Sequence, residues 1–179
     1  MNIFYLDPDP MQAAIYMVDR HVVKMILESA QLLSTAHRIL DGEESIELSE
    51  KGRKTKRYRL YDAREPILYS ATHANHPSAI WARASVENYN WLVDHFFALM
   101  SEYTYRYDKQ HKCFGELSYM LQSPPKNLKE YEMTLIPSAM AEEYIISSDP
   151  VQNYRNYYAR GKTHLHKWTK RDKPNWIKE

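Results

Sequence analysis

From Met11 to Leu40 the chain runs 30 residues without a glycine or a proline, and from Ala79 to Tyr107 it runs another 29. With only 4 glycines in 179 residues, few tight turns are available, so the long runs must be helical. Each run follows a helix-start signal. In Asp7-Pro8-Asp9-Pro10 a carboxylate can cap free amides, and proline at the first helical position loses no hydrogen bond. His76-Pro77-Ser78 opens the second run, and Asp41-Gly42 is a fitting stop for the first. Thirty residues is long for one helix, which leaves room for a break near Asp19. Ile136-Pro137-Ser138 predicts a short helix to about Ile146, and Ser148-Asp149-Pro150 caps another carrying Tyr154, Arg155, Tyr157 and Tyr158. The expectation is a mostly α, single-domain helical bundle spanning residues 1–179.

Residues 41–65 divide by charge sign, with Asp41, Glu43, Glu44, Glu47 and Glu50 before Lys51, Arg53, Lys54, Lys56, Arg57 and Arg59. A turn at Lys51-Gly52 predicts an inserted β-hairpin near residues 43–61 whose acidic arm faces its basic arm. The alternative is that Lys54, Lys56 and Arg57 lie along a phosphate backbone. The tail, residues 160–179, is basic with interleaved aromatics, and its Lys162, Lys167, Lys170 and Arg171 are further candidates for backbone contacts.

On the first helical run His21, Lys24, Glu28 and Gln31 fall within an arc of roughly 80°, opposite Val22, Val23, Ile26, Leu27, Ala30 and Leu33. A solvated helix face with a Lys24–Glu28 ion pair would account for this. The set also amounts to an acid/base constellation: a base, an amine, a carboxylate and an amide on one rigid face. His37 falls on the apolar side and is expected to be a hydrogen-bonded core residue. In Thr72-His73-Ala74-Asn75-His76-Pro77-Ser78 two histidines three apart could ligate a metal, but no acid or thiol stands at a matching local spacing. Polar contacts to substrate from His73, Asn75 and His76, at the start of a helix, suit the residues better, so neither metal nor cofactor is expected. Trp81 shares a 3.6-residue stripe with Asn88, Leu92, His95 and Leu99.

No apolar stretch approaches the roughly 20 residues of a membrane helix, and no secretion signal is evident. The single cysteine, Cys113, excludes an internal disulfide, so a reducing, cytoplasmic setting is expected. The formal net charge is only +1, lower than is usual for a duplex-binding protein, so any DNA contact must rest on local charge. The 15 tyrosines and 4 tryptophans fit either a Tyr-rich core or a nucleotide-stacking surface.

A short apolar start, an Asp-Pro helix start, His21 seven residues before Glu28, and Asn75-His76-Pro77 opening a second long helix together resemble the pyrimidine-dimer DNA glycosylase (endonuclease V) superfamily of phages and bacteria. Lys173-Pro174-Asn175-Trp176 is similar to that family's C-terminal Pro-x-Trp element. The resemblance implies an all-helical DNA-repair enzyme that cleaves the N-glycosidic bond of a damaged pyrimidine. It implies an N-terminal amine attacking the sugar C1′ to give a Schiff base, with elimination following. Glu28 would be the acid/base residue, with His21 and His76 in the same site. Asn2 is larger than the residues after which an initiator methionine is usually removed, which compromises the ordinary N-terminal route, so the expected chemistry is either attack by Lys24 or hydrolysis resting on Glu28.

The leading expectation is therefore a DNA glycosylase or base-modification enzyme. Its catalytic candidates are Glu28, His21, Lys24 and His76, and Gln31, His73, Asn75, Trp81, Tyr154, Arg155 and Tyr158 would touch substrate. The alternatives are an enzyme on free nucleotides or a nucleotide-derived small molecule, or a non-catalytic binding module. DNA is the expected partner, with a nucleotide as the alternative and no membrane.

Overall fold

The computed structural model describes residues 1–48 and 52–178. Helix α1 spans Pro10–Tyr16, α2 Asp19–Asp41, α3 Pro77–Ala82, α4 Val86–Tyr107, α5 Glu116–Leu121 and α6 Pro150–Gly161. Strands β1 (Glu43–Leu48) and β2 (Lys54–Arg59) form an antiparallel hairpin between α2 and α3. The mostly α fold with an inserted hairpin is as the sequence predicts. No helix among the described residues is long and apolar enough to cross a membrane.

The core lies where α2 and α4 pack together, with α1 against α4 and α3 against α2. Met25, Ile26, Leu32 and Leu33 from α2 and Tyr89, Leu92, Phe96 and Leu99 from α4 are fully buried. Each such side chain contributes about 1.5–3 kcal/mol. His37 is a core residue, bonded to Tyr89 Oη and to Arg64, each at 2.8 Å.

Asp9 and Asp149 cap their helices, each ahead of a proline. The first run breaks as anticipated: α1 stops at Tyr16, Met17 and Val18 are extended, and α2 begins at Asp19. Two readings need correction. The second run is two helices, because Arg83 ends α3 and the Ser85 side chain starts α4 by accepting from Asn88 N. The stripe from Trp81 to Leu99 is therefore not one helix face. Residues 136–146 form no α-helix, only a short 3₁₀ turn at Glu142–Tyr144. The backbone there is held instead by side chains: Tyr154 Oη donates to Pro137 O at 3.0 Å and accepts from Ala139 N.

In the hairpin Glu43 stands opposite Arg59 and Ile46 opposite Lys56. Lys56 pairs with Glu44 and Arg59 with Glu47, so the acidic arm does face the basic one. The proposed turn at Lys51 lies outside the described residues. Arg38 anchors the hairpin's base by donating to Tyr58 O and Glu65. Replacing residues 44–57 with a short Gly/Ser linker is expected to preserve cooperative unfolding, since surface insertions cost little loop entropy. A broad, non-cooperative urea transition in that variant would place the hairpin in the folding core.

Buried histidines give the fold a pH dependence. Burial is the main cause that brings His21 down to about 3 and His37 and His95 down to about 4, all from 6.5. Nearby cations add to the effect at His21 and Arg64 does so at His37, while the Pro10 carbonyl opposes it at His95. The folded chain keeps these rings neutral where the unfolded chain protonates them. Stability should therefore be complete above pH 6.5 and fall toward pH 4, by up to about 1.4 kcal/mol per pH unit for each histidine. Equal urea midpoints at pH 7 and pH 5 would contradict this.

Candidate active site

Helix α2 carries His21, Lys24 and Glu28 along one face, and the N-terminal residues fold back over it. Glu28 is 9% exposed. Its Oε2 accepts from the Asn2 amide at 2.9 Å and stands 3.9 Å from the Met1 amine. Its Oε1 takes the expected ion pair with Lys24 Nζ at 3.0 Å, although Lys24 itself reaches into solvent.

A hook in the chain holds the N-terminus there. Asn2 Oδ1 accepts from the amides of both Ile3 and Phe4, and Asn2 Nδ2 donates to Ala139 O at 2.7 Å. Phe4 has φ 56°, a left-handed conformation that costs a bulky side chain energy. Its ring stacks on His21 at 4.2 Å between centroids, and Tyr158 Oη shares a 2.5 Å hydrogen bond with His21 Nδ1. His21 therefore sits beneath the hook with one ring nitrogen engaged, 6% exposed and neutral at physiological pH.

His76 approaches from the start of α3. Its Nδ1 accepts from Ser78 N, which fixes the ring as the helix cap. Burial and then the positive N-terminus and His73 lower its proton affinity below the ordinary histidine value, against the opposing pull of Glu28. The ring is thus close enough to feel both the Met1 amine and Glu28. Glu28 meets the N-terminal amine directly, and the His76 imidazole lies within electrostatic range of both, with Lys24 at the outer edge. Such a set can hold an amine, move a proton and steady a cationic sugar.

A family model described as pyrimidine dimer DNA glycosylase matches residues 1–114. The chain belongs to the pyrimidine dimer DNA glycosylase family. A DNA-glycosylase-like role in DNA repair, with DNA as substrate, comes with that membership. No curated protein and no solved structure matches the chain.

Other predicted residues of this glycosylase-family chain fall elsewhere. Trp81, Tyr154 and Tyr158 cannot grip a base as they stand: they are 3%, 0% and 0% exposed, and each hydroxyl or indole N–H bonds within the protein. Arg155 faces inward, donating to Leu6 O and to Asp7. Lys170 is bound to Asp108, and Arg171 to both oxygens of Glu102. These tail cations hold the fold together. Lys167 meets α2 through its carbonyl, which accepts from Asp19 N. Lys54 and Arg57 lie on β2 beside the paired Lys56. Gln31 is partly buried one turn beyond Glu28, while His73 and Asn75 are exposed near His76. Among the described residues no three His, Cys, Asp or Glu side chains gather as a metal would require.

Sequence reasoning missed Asn2 and Phe4, since a hook with one left-handed residue leaves no periodic signal. It also missed Arg20 and His164. Together with Lys24 and Lys162 they place positive charge around His21. Among the described residues, no carboxylate pairs with Arg20 or Lys162; Lys162 Nζ lies 4.6 Å from the centre of the Tyr157 ring.

Proposed function

We propose that this chain releases a damaged pyrimidine from DNA by attack of the Met1 α-amine on the sugar C1′. The observation that carries the reading is the position of Glu28, 2.9 Å from the Asn2 amide and 3.9 Å from the Met1 amine. The amine forms a bond to C1′ as the C1′–N bond breaks, and the base leaves with its electron pair and takes up a proton. Opening of the sugar ring gives the imine, and loss of a C2′ proton expels the 3′ phosphate. Glu28 offsets the cationic sugar, and neutral His76 accepts the proton that the attacking amine sheds. Lys24, exposed beyond Glu28, holds the carboxylate from outside.

Arg20, Lys24 and Lys162 form a cationic rim suited to a phosphodiester backbone, which favours DNA over a free nucleotide. Arg20→Ala and Lys162→Ala should each flatten the dependence of log binding constant on log salt by about 0.9, if each meets one phosphate. An unchanged slope in both would remove the rim from the interface.

Borohydride trapping tests the chemistry. With a duplex carrying an ultraviolet-induced pyrimidine dimer, the reduced imine should map to the N-terminal peptide. An adduct on Lys24 would reassign the nucleophile, base release without an adduct would point to water directed by Glu28, and no base release would overturn the reading.

A further inference from the structure

Two aliphatic side chains on segments that lead into this site are exposed. Ile80, on α3, is 49% exposed, and its amide donates to His76 O at 3.0 Å, which sets it one helical turn beyond the site histidine. Leu135 is 74% exposed. It follows Thr134, whose carbonyl accepts from Trp81 Nε1 at 3.0 Å and whose amide donates to Asn88 Oδ1. Leu135 is also four residues before Ala139, the acceptor for Asn2 Nδ2. Ile80 and Leu135 are thus the chain neighbours of the two residues joined by the Trp81–Thr134 bond, one on the segment that carries His76 and one on the segment that reaches Ala139. Their backbones are rigidly held while their side chains are left in water.

We infer that Ile80 and Leu135 form an apolar wedge that enters the base stack of duplex DNA next to the nucleotide being processed. This rests on the proposed function and adds how the sugar becomes reachable. A C1′ atom inside a stacked duplex is out of reach of an amine held against Glu28, so the nucleotide must be displaced. The aromatic side chains of Trp81 and Tyr158 are buried and do not hold it open. Aliphatic side chains inserted at a base step do this work in other DNA-bending proteins. Charge sets the limits of the contact. The cations Arg20, Lys24 and Lys162 belong to the site side, whereas Glu130 and Glu132, which phosphates would repel, lie farther along the strap that carries Leu135. The wedge therefore ends at Leu135.

The test compares one abasic strand in two forms, alone and in a duplex with 2-aminopurine beside the lesion. Ile80→Ala and Leu135→Ala change exposed side chains and should fold normally, which urea unfolding checks. Combined, they should slow borohydride trapping on the duplex by about tenfold or more, since unstacking one step costs a few kcal/mol. Trapping on the single strand should stay within about twofold, because there is no stack to open. Wild-type binding should raise 2-aminopurine fluorescence, and the double variant should not. Equal slowing on both substrates, or on neither, would overturn the wedge, as would a fluorescence rise that survives both substitutions. If the wild type traps neither form, the proposed chemistry fails on its own, and the fluorescence still decides for or against the wedge.

Discussion

Glu28→Gln is expected to lower base release by about 10²-fold or more while leaving the unfolding midpoint nearly unchanged. The amide has the shape of the carboxylate and can still accept the Asn2 N–H. It loses the negative charge that faces the Met1 amine and Lys24, and that would face the cationic sugar. The ion pair with Lys24 involves a largely exposed lysine on a helix, so its loss costs only about 0.3–0.5 kcal/mol. Single-turnover base release against urea unfolding separates the two effects. Full activity in Glu28→Gln would mean that the chemistry sits elsewhere.

Arg106→Met should destabilise the fold by about 3–5 kcal/mol, because it leaves the buried Asp19 without its cation and Glu102 with only the partly exposed Arg171. The Arg106 side chain is fully buried and donates to Glu102, Asp19 and the carbonyls of Met17 and Ile15. It therefore joins α4 to the junction between α1 and α2. Burial alone would raise the Asp19 carboxyl, but bonds from Thr169 and Arg106 hold it below its ordinary value. In the wild type that contribution is complete above about pH 4 and is lost as acid protonates Asp19. In the variant, acid should relieve the unpaired charge, so the deficit should shrink at low pH. A deficit under about 1 kcal/mol at pH 7 would show that the junction does not depend on this arginine.

The sequence showed most where chemistry and period coincide. Asp9-Pro10 and Asp149-Pro150 mark helix starts that depend only on local bonds, and the His21–Lys24–Glu28 face follows from 3.6-residue geometry. The break at Arg83–Ser85 has no glycine or proline, and its only sign was Ser85 three residues before Asn88. Residues 136–146 were misread because the deciding partners, Tyr154 and Asn153, lie farther along the chain. Trp81 and Tyr158 have polar tips, as substrate-gripping aromatics do, and only packing reveals that those tips point inward. At His21 the sequence revealed proximity to the site without revealing posture: its ring lies under Phe4.

The family model matches residues 1–114, yet much that steadies the first 21 residues comes from beyond them. Ala139 receives Asn2, Tyr158 meets His21, and Thr169 and the Lys167 carbonyl engage Asp19. A chimera that grafts residues 1–114 onto a relative's ending would therefore inherit the candidate site residues without the struts that position them. In this chain the portion outside the family match is the one that holds the N-terminal hook against α2.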